Sequence, residues 1–198
     1  MTNLGKQSTN TASDTLLFYM EFIYPFTKMS RAGWVKYWDV PESKAESVAA
    51  HIFAVQFFAL FANQEFDLRL SIEKILSLAL AHELLELEMG DIPVRDKISK
   101  EEKEALILKA RKNLERKLSK YKSGKYFLSL LDEFLDQKSK EAIFVREVDK
   151  LVFSMQGASY CKDGIGKTCN GEKLVEYTLP ELKTDKLKDV AKLIKSSL

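Results

Sequence analysis

Apolar residues along this chain recur every three or four positions, while runs that alternate every second residue are nearly absent, a pattern that predicts an all-α fold. The periodic stretches place helices over about 14–29, 43–63, 69–88, 99–121, 124–136, 139–160 and 184–197. Two of them carry the mark of a capping box, a serine followed three residues later by a glutamate: Ser43 to Glu46 and Ser99 to Glu102. Gly90 and Pro93 end the third. Between 160 and 182 the periodicity lapses under three glycines and a proline, which predicts a loop with a short extended piece ahead of a final amphipathic helix. The resulting organisation is a polar tail over 1–14, a helical domain over 15–162, and a loop plus C-terminal helix over 163–198 that joins the same compact unit.

Three helices interrupt their own apolar stripe. In 69–88 the inward face runs Ile72, Ile75, Leu76 and Ala79, then turns ionisable at His82, Glu83 and Glu86 without leaving the face. His51 interrupts Val48, Val55 and Phe58, and Asp149 interrupts Ala142, Val145 and Val152 at the same spacing. An ionised carboxylate is costly to bury without a partner. Each site alone has an ordinary answer: a helix end open to water, a hydrogen-bonded core histidine, an ion pair with Lys or Arg. Three helices sending imidazole and carboxylate inward are more simply explained by one shared divalent cation, which accepts both kinds of donor.

Composition narrows the field further. With 198 residues, 45% apolar and 30% charged, the chain is an ordinary globular one of single-domain size. A net charge of +2, from 31 basic and 29 acidic residues, gives no bulk attraction to nucleic acid or to a membrane surface, so any anionic ligand must be held by local groups. The opening "MTNLGKQSTNTASD" lacks the apolar core of a signal peptide. The stretch "TLLFYMEFIYPF" is broken by Glu21 and Pro25 and is far shorter than the ~20 residues of a membrane span, so a cytoplasmic protein is expected. Cys161 and Cys169 fit neither a disulfide framework nor paired zinc ligands, and read as free thiols in a reducing compartment. The alternating charges of 99–121 read as a solvated face. "GIGKT" at 164–168 lacks the leading glycine of a phosphate-binding loop, since Cys161 stands there, and no strand precedes it; it reads as a surface turn.

In this order, "ESVAAH", "AHELLELEMGDI" and "REVDK" resemble the HD-domain metal-dependent phosphohydrolases, whose pattern is a His, a His-Asp pair and a distant Asp. The preceding "RAGWV" and the following "KEEKEA" and "SKEAIFVREVDKLVFSMQGASY" resemble the branch that hydrolyses 5'-deoxynucleotide monophosphates. The resemblance covers about residues 15–160 and implies an HD-domain helical bundle with a short irregular extension after 162. It implies His51, His82, Glu83 and Asp149 as ligands of a divalent metal ion, whether Mn, Co, Mg, Zn, Fe or Ni. Glu86 is implied to position or activate the attacking water, and Asp91 to lie in the pocket near the nucleotide. Arg31 is implied to hold the phosphate and Trp34 the nucleoside, roles that suit a forked guanidinium and an aromatic face. The implied partner is a small-molecule nucleotide and the implied assembly a homodimer. Phe18, Phe22 and Phe26 of the first helix then serve either the core or the dimer surface.

Two positions depart from the family pattern. Glu83 replaces the Asp of the naming pair, one methylene longer, and Ala50 precedes His51 where relatives carry an acidic residue. An inserted "ESKA", close to one helical turn, keeps His51 on its face and moves the cap to Ser43 and Glu46. Aligning "PESKAES" with the motif instead would put Ser47 in the ligand position. The expected activity is metal-dependent removal of phosphate from a nucleoside 5'-monophosphate, a deoxynucleotide in particular. The alternatives are an HD scaffold that binds nucleotide without turnover, which Glu83 motivates, and hydrolysis of another phosphorylated substrate such as an alarmone.

Overall fold

The computed structural model describes residues 11–93, 95–166 and 170–196. Of the tail expected over 1–14, residues 1–10 lie outside the described residues and 11–14 are helical. The first apolar stretch forms α1 (Thr11–Phe18) and α2 (Tyr24–Lys28), joined by a π-helical turn over Tyr19–Ile23. Pro25 brings no N–H to the helical ladder, and just before it the Tyr24 N–H reaches Tyr19 O, five residues back. Phe22 and Phe26 are buried, and Phe18 stacks on Phe22 at 4.9 Å, so these rings serve the core.

Three expected boundaries are corrected. First, α3 (Ala32–Trp38) is an added helix, two turns long and too short for periodicity to announce. Second, α4 (Val48–Glu65) starts five residues later than the sequence pattern suggests, and the Ser43–Glu46 pair does not cap it. Glu42–Lys44 turn as a 3-10 segment after Pro41, and Ser47 is the cap, its Oγ accepting from Ala50 N–H at 3.2 Å. Third, 69–88 is not one helix. It ends as α5 (Ile72–Ala81), beyond which His82 Nδ1 donates to Ala79 O at 2.6 Å and residues 82–85 follow in tight turns. The last piece, α6 (Glu86–Met89), closes on Gly90, whose φ of +73° is the left-handed value a helix stop favours. Ile72, read as inward, is 43% exposed.

Further on, α7 (Lys100–Leu118) carries the complete capping box at Ser99 and Glu102. Next come α8 (Gly124–Asp136) and α9 (Lys140–Lys162), the latter capped by Ser139. Helices α4, α5 and α9 pack on one another and bury Val55, Ala59, Ile75, Leu78, Val145 and Val152, while α8 covers α5. Each of the Val, Ile and Leu side chains among them contributes about 1.5–3 kcal/mol when fully buried, and the Ala59 methyl less. Among the described residues the strand-like pairing is a single bridge between Ser30 and Ser47.

The segment after 162 is more regular than its glycines suggest. It forms α10 (Gly171–Thr178) and α11 (Asp185–Ser196), both packed on α9. Leu174 is fully buried in a second small core with Trp34, Trp38, Val40 and Tyr160. Gly157 of α9 permits this approach, because a Cβ there would meet Leu174 Cδ1 at 2.7 Å and the Trp34 ring at 2.9 Å. Ser154 Oγ donates to Leu174 O at 3.0 Å and Thr178 Oγ1 to Lys150 O at 3.2 Å. Glu147, buried in α9, accepts from the N–H and hydroxyl of Thr184 at 2.7 and 2.8 Å and so fixes the start of α11. Cys161 is disulfide-bonded, which corrects the free-thiol reading; Cys169 and most of the "GIGKT" turn's end, Lys167 and Thr168, lie outside the described residues. No helix among the described residues is long and apolar enough to cross a membrane.

Candidate metal centre and adjoining pocket

The breaks in the three apolar stripes meet. Around the Ser30–Ser47 bridge, Arg31 N–H donates to Glu46 O at 3.0 Å and Val48 N–H to Met29 O at 2.8 Å, which pins the start of α3 to the start of α4. His51 then lies one turn into α4, Asp149 in the middle of α9, and His82 and Glu83 at the turn that ends α5. One donor atom from each of these four buried residues lies within 4.8 Å of the other three. His51 Nε2 is 3.1 Å from Asp149 Oδ1 and 3.6 Å from Glu83 Oε1, and His82 Nε2 is 3.4 Å from Glu83 Oε1. Ser47 caps its own helix instead, so the register that uses His51 is the one the fold adopts.

The donor set fits a divalent cation. Two imidazole nitrogens and two carboxylate oxygens are the ligand types such ions take. His82 Nε2 is buried and makes no hydrogen bond, while the Ala79 carbonyl holds the proton on Nδ1, leaving a lone pair aimed into the cluster.

Charge inside the cluster is mutually compensated. Burial opposes ionisation of Glu83, yet the Arg31 guanidinium, then His82 and His51, hold its carboxyl well below the usual carboxylate range. Burial likewise opposes Asp149, and Lys150, with Nζ 3.1 Å from Oδ2, and His51 hold it low. Burial works against the His82 imidazolium, but Glu83 and Asp149 raise its pKa. Burial also works against charged Arg31, which Glu83 at 2.5 Å and Asp91 at 3.0 Å more than offset. Glu86 goes the other way: burial first, then the charges of Glu83 and Asp91, push its carboxyl up to about 9. Its Oε2 is buried without a partner. Asp91 also accepts from Ala32 N–H at 2.5 Å, so it anchors the first turn of α3.

A cavity of about 320 Å³ adjoins the cluster. Arg31, Asp91 and Asp149 form its inner wall, and Trp38, Arg95 and Tyr177 a second wall that reaches solvent through Tyr177, 46% exposed. Trp34 also lines it, but its ring stacks on Phe153 at 4.4 Å and its Nε1–H is used on Glu46 Oε1 at 2.9 Å. It therefore offers the cavity an apolar edge and no free polar group.

The family model described as the HD domain matches residues 27–188, most of the chain. The chain belongs to the HD-domain family. The HD match runs past 162 through α10, where the sequence motifs stop. The 5'-deoxynucleotidase HDDC2 of Xenopus laevis is 30% identical over 153 residues, covering 77% of this chain and 73% of its own length. Two solved structures share the HD-domain fold. A conserved hypothetical protein from Pyrococcus furiosus has a TM-score of 0.68 at 23% identity, covering 93% of this chain and 99% of its own. A "Predicted metal-dependent phosphohydrolase" from Magnetospirillum magnetotacticum MS-1 has a TM-score of 0.66 at 18% identity, covering 94% of each chain.

Four residues of this HD domain escape sequence reasoning. Glu46, read only as a capping residue, has Oε1 3.8 Å from His51 Nδ1, the ring nitrogen that makes no hydrogen bond. Lys150 compensates Asp149, and its place directly after the inward Asp in "REVDK" is the signal that could have found it. Arg95 and Tyr177 line the cavity from a loop and from α10, where no periodic background exposes them.

Proposed function

We propose that this HD-domain protein is a metal-dependent phosphomonoesterase acting on nucleoside 5'-monophosphates, deoxynucleotides in particular. The observation that carries the proposal is the buried His51, His82, Glu83 and Asp149 cluster beside a cavity whose wall holds Arg31. Those four residues would hold the cation, which supplies polarisation of a phosphoryl oxygen and a water of lowered pKa. Arg31 presents a donor fork to the phosphate while its charge balances Glu83 and Asp91. Glu86, which a bound cation would keep ionised, would take the proton of the attacking water and return it to the leaving alkoxide. Asp91 keeps Arg31 and the start of α3 in place. Similarity to the 5'-deoxynucleotidase HDDC2 supports the deoxy sugar.

The test is phosphate release from a panel of nucleoside monophosphates with Mn²⁺, Co²⁺ or Mg²⁺. Release that requires metal and disappears in Glu86→Ala is expected; no release with any metal rejects catalysis. A second reading, nucleotide binding without turnover, is favoured by the 2.5 Å Arg31–Glu83 ion pair, which engages a ligand oxygen. Elemental analysis separates the two: about one metal per chain supports the enzyme, a metal-free protein that still binds nucleotide supports the sensor. A homodimer is part of the proposal, supported by Phe53, Phe57 and Phe61, exposed along one stripe of α4. Light scattering should give twice the chain mass, falling to the chain mass in Phe57→Glu; a monomeric wild type removes the dimer.

A further inference from the structure

We propose that Arg95 and Glu181 read the base of the substrate and select guanine; the inference rests on the nucleotidase reading above. The Arg95 guanidinium lies 4.8 Å from the Trp38 ring, 4.9 Å from Tyr177 and 5.5 Å from Tyr37. Its Nε donates to Tyr177 Oη at 2.9 Å. Among the described residues no carboxylate pairs with it. The next residue ties the loop down, since Asp96 accepts from Lys36 Nζ at 2.6 Å and from the Tyr37 hydroxyl. A planar cation fixed by rings, with Nε occupied and its terminal Nη groups left over, is a donor fork without a counter-charge.

Glu181 follows Tyr177 by one helical turn, lines the same cavity, and has no ion pair among the described residues. The cavity wall thus offers a two-donor fork and a two-acceptor carboxylate. Guanine is complementary to both: N7 and O6 are adjacent acceptors, and N1–H and the N2 amino group are adjacent donors. Adenine sets an amino donor beside N7 and so opposes the fork with one mismatched group. Pyrimidines have no N7. The phosphate is directed to the inner wall by Arg31, which leaves the base to the wall formed by Trp38, Tyr177 and Arg95. Phe153 and Trp38 supply apolar contact for its ring.

Steady-state kinetics with dGMP, dAMP, dCMP and dTMP, paired with calorimetric affinities for the same nucleotides, test the proposal. The wild type should favour dGMP over dAMP about tenfold or more, chiefly through KM. Substrate changes probe the intact protein: 7-deaza-dGMP loses the N7 acceptor opposite Arg95, and dIMP loses the amino donor opposite Glu181, so each should fall several-fold below dGMP. In Arg95→Ala the dGMP to dAMP ratio should collapse towards one, and in Glu181→Gln the dGMP to dIMP ratio should do the same. Hydrolysis of all four nucleotides within twofold of one another, or a ratio that survives Arg95→Ala, overturns base reading while leaving the nucleotidase intact. Selective dGMP binding without hydrolysis of any nucleotide does the reverse.

Discussion

At the inner wall of the cavity each charge answers another. Arg31 lies between Glu83 and Asp91, Lys150 meets Asp149, and His51 stands between Asp149 and Glu83. At the outer wall Arg95 is held by three rings and a phenol, and Glu181 is exposed. Burial explains the contrast. An unpaired ion deep in the protein costs several kcal/mol, so the inner groups are fixed as a set, whereas water tolerates loose charges at the outer wall. The inner wall should therefore govern metal and turnover, and the outer wall choice among substrates.

Removing one member of the inner set tests this most severely. Asp149→Ala deletes a candidate ligand and leaves Lys150 and His51 without their carboxylate. Bound metal should vanish on elemental analysis, phosphate release should fall by more than about a thousandfold, and the fold should lose about 3 kcal/mol. Arg95→Ala should retain its metal. Equal metal loss in both variants would erase the distinction between the walls.

Glu46 lies one step behind the cluster and should produce a smaller effect. A ligating imidazole normally gives its second N–H to a carboxylate or carbonyl, and Glu46 Oε1 is the carboxylate oxygen 3.8 Å from His51 Nδ1. Glu46→Gln keeps an oxygen for Trp34 Nε1–H but loses the charge. Metal affinity should drop about 10–100-fold and recover in excess metal, with the dGMP to dAMP ratio unchanged. A variant that titrates metal like the wild type would remove Glu46 from the centre.

The cluster was legible because it violates a pattern. On the regular stripes of α4 and α9, an imidazole at 51 or a carboxylate at 149 stands out among Val48, Val55, Val145 and Val152. Residues without such a background were not legible. Glu46 sits in an irregular connection where Ser43 and Ser47 are both credible caps, and only the 3-10 turn after Pro41 decides between them. The α5–α6 break depends on His82 bonding to the Ala79 carbonyl, a choice of side chain that periodicity does not record. Helix α10 spans two turns between Gly164, Gly166 and Pro180, so turn signals outweighed its short apolar face of Leu174, Val175 and Thr178.

Glu86 borders the inner wall and, in protein stripped of metal, should reveal the cost of that position as a pH dependence. Its carboxyl is raised to about 9 in the fold, against an ordinary 4.5 in the unfolded chain. Between those values the native state holds a proton that the unfolded state has released, so stability falls as pH rises. Glu86→Gln removes that slope. The variant should match the wild type near pH 4.5 and exceed it increasingly as pH rises towards 9, by several kcal/mol near pH 8. Saturating Mn²⁺ should shrink the gap, since a nearby cation favours the ionised carboxylate. Melting curves in EDTA across that range check the sign, and parallel profiles for the two proteins would show that Glu86 is ionised throughout.

Tyr177→Phe makes the smallest change and acts on the outer wall alone. It removes the oxygen that accepts from Arg95 Nε at 2.9 Å while keeping the ring 4.9 Å from the guanidinium. The ring contact and the stacking on Trp38 still restrain Arg95, so its plane gains freedom without losing its place. One partly exposed hydrogen bond to a charged group is worth about 1–2 kcal/mol, and only part of it bears on how well the fork is oriented. The dGMP to dAMP ratio should therefore fall two- to fivefold, with metal content and pH dependence unchanged. A drop as large as that of Arg95→Ala would mean the phenol itself, rather than the guanidinium it steadies, contacts the base.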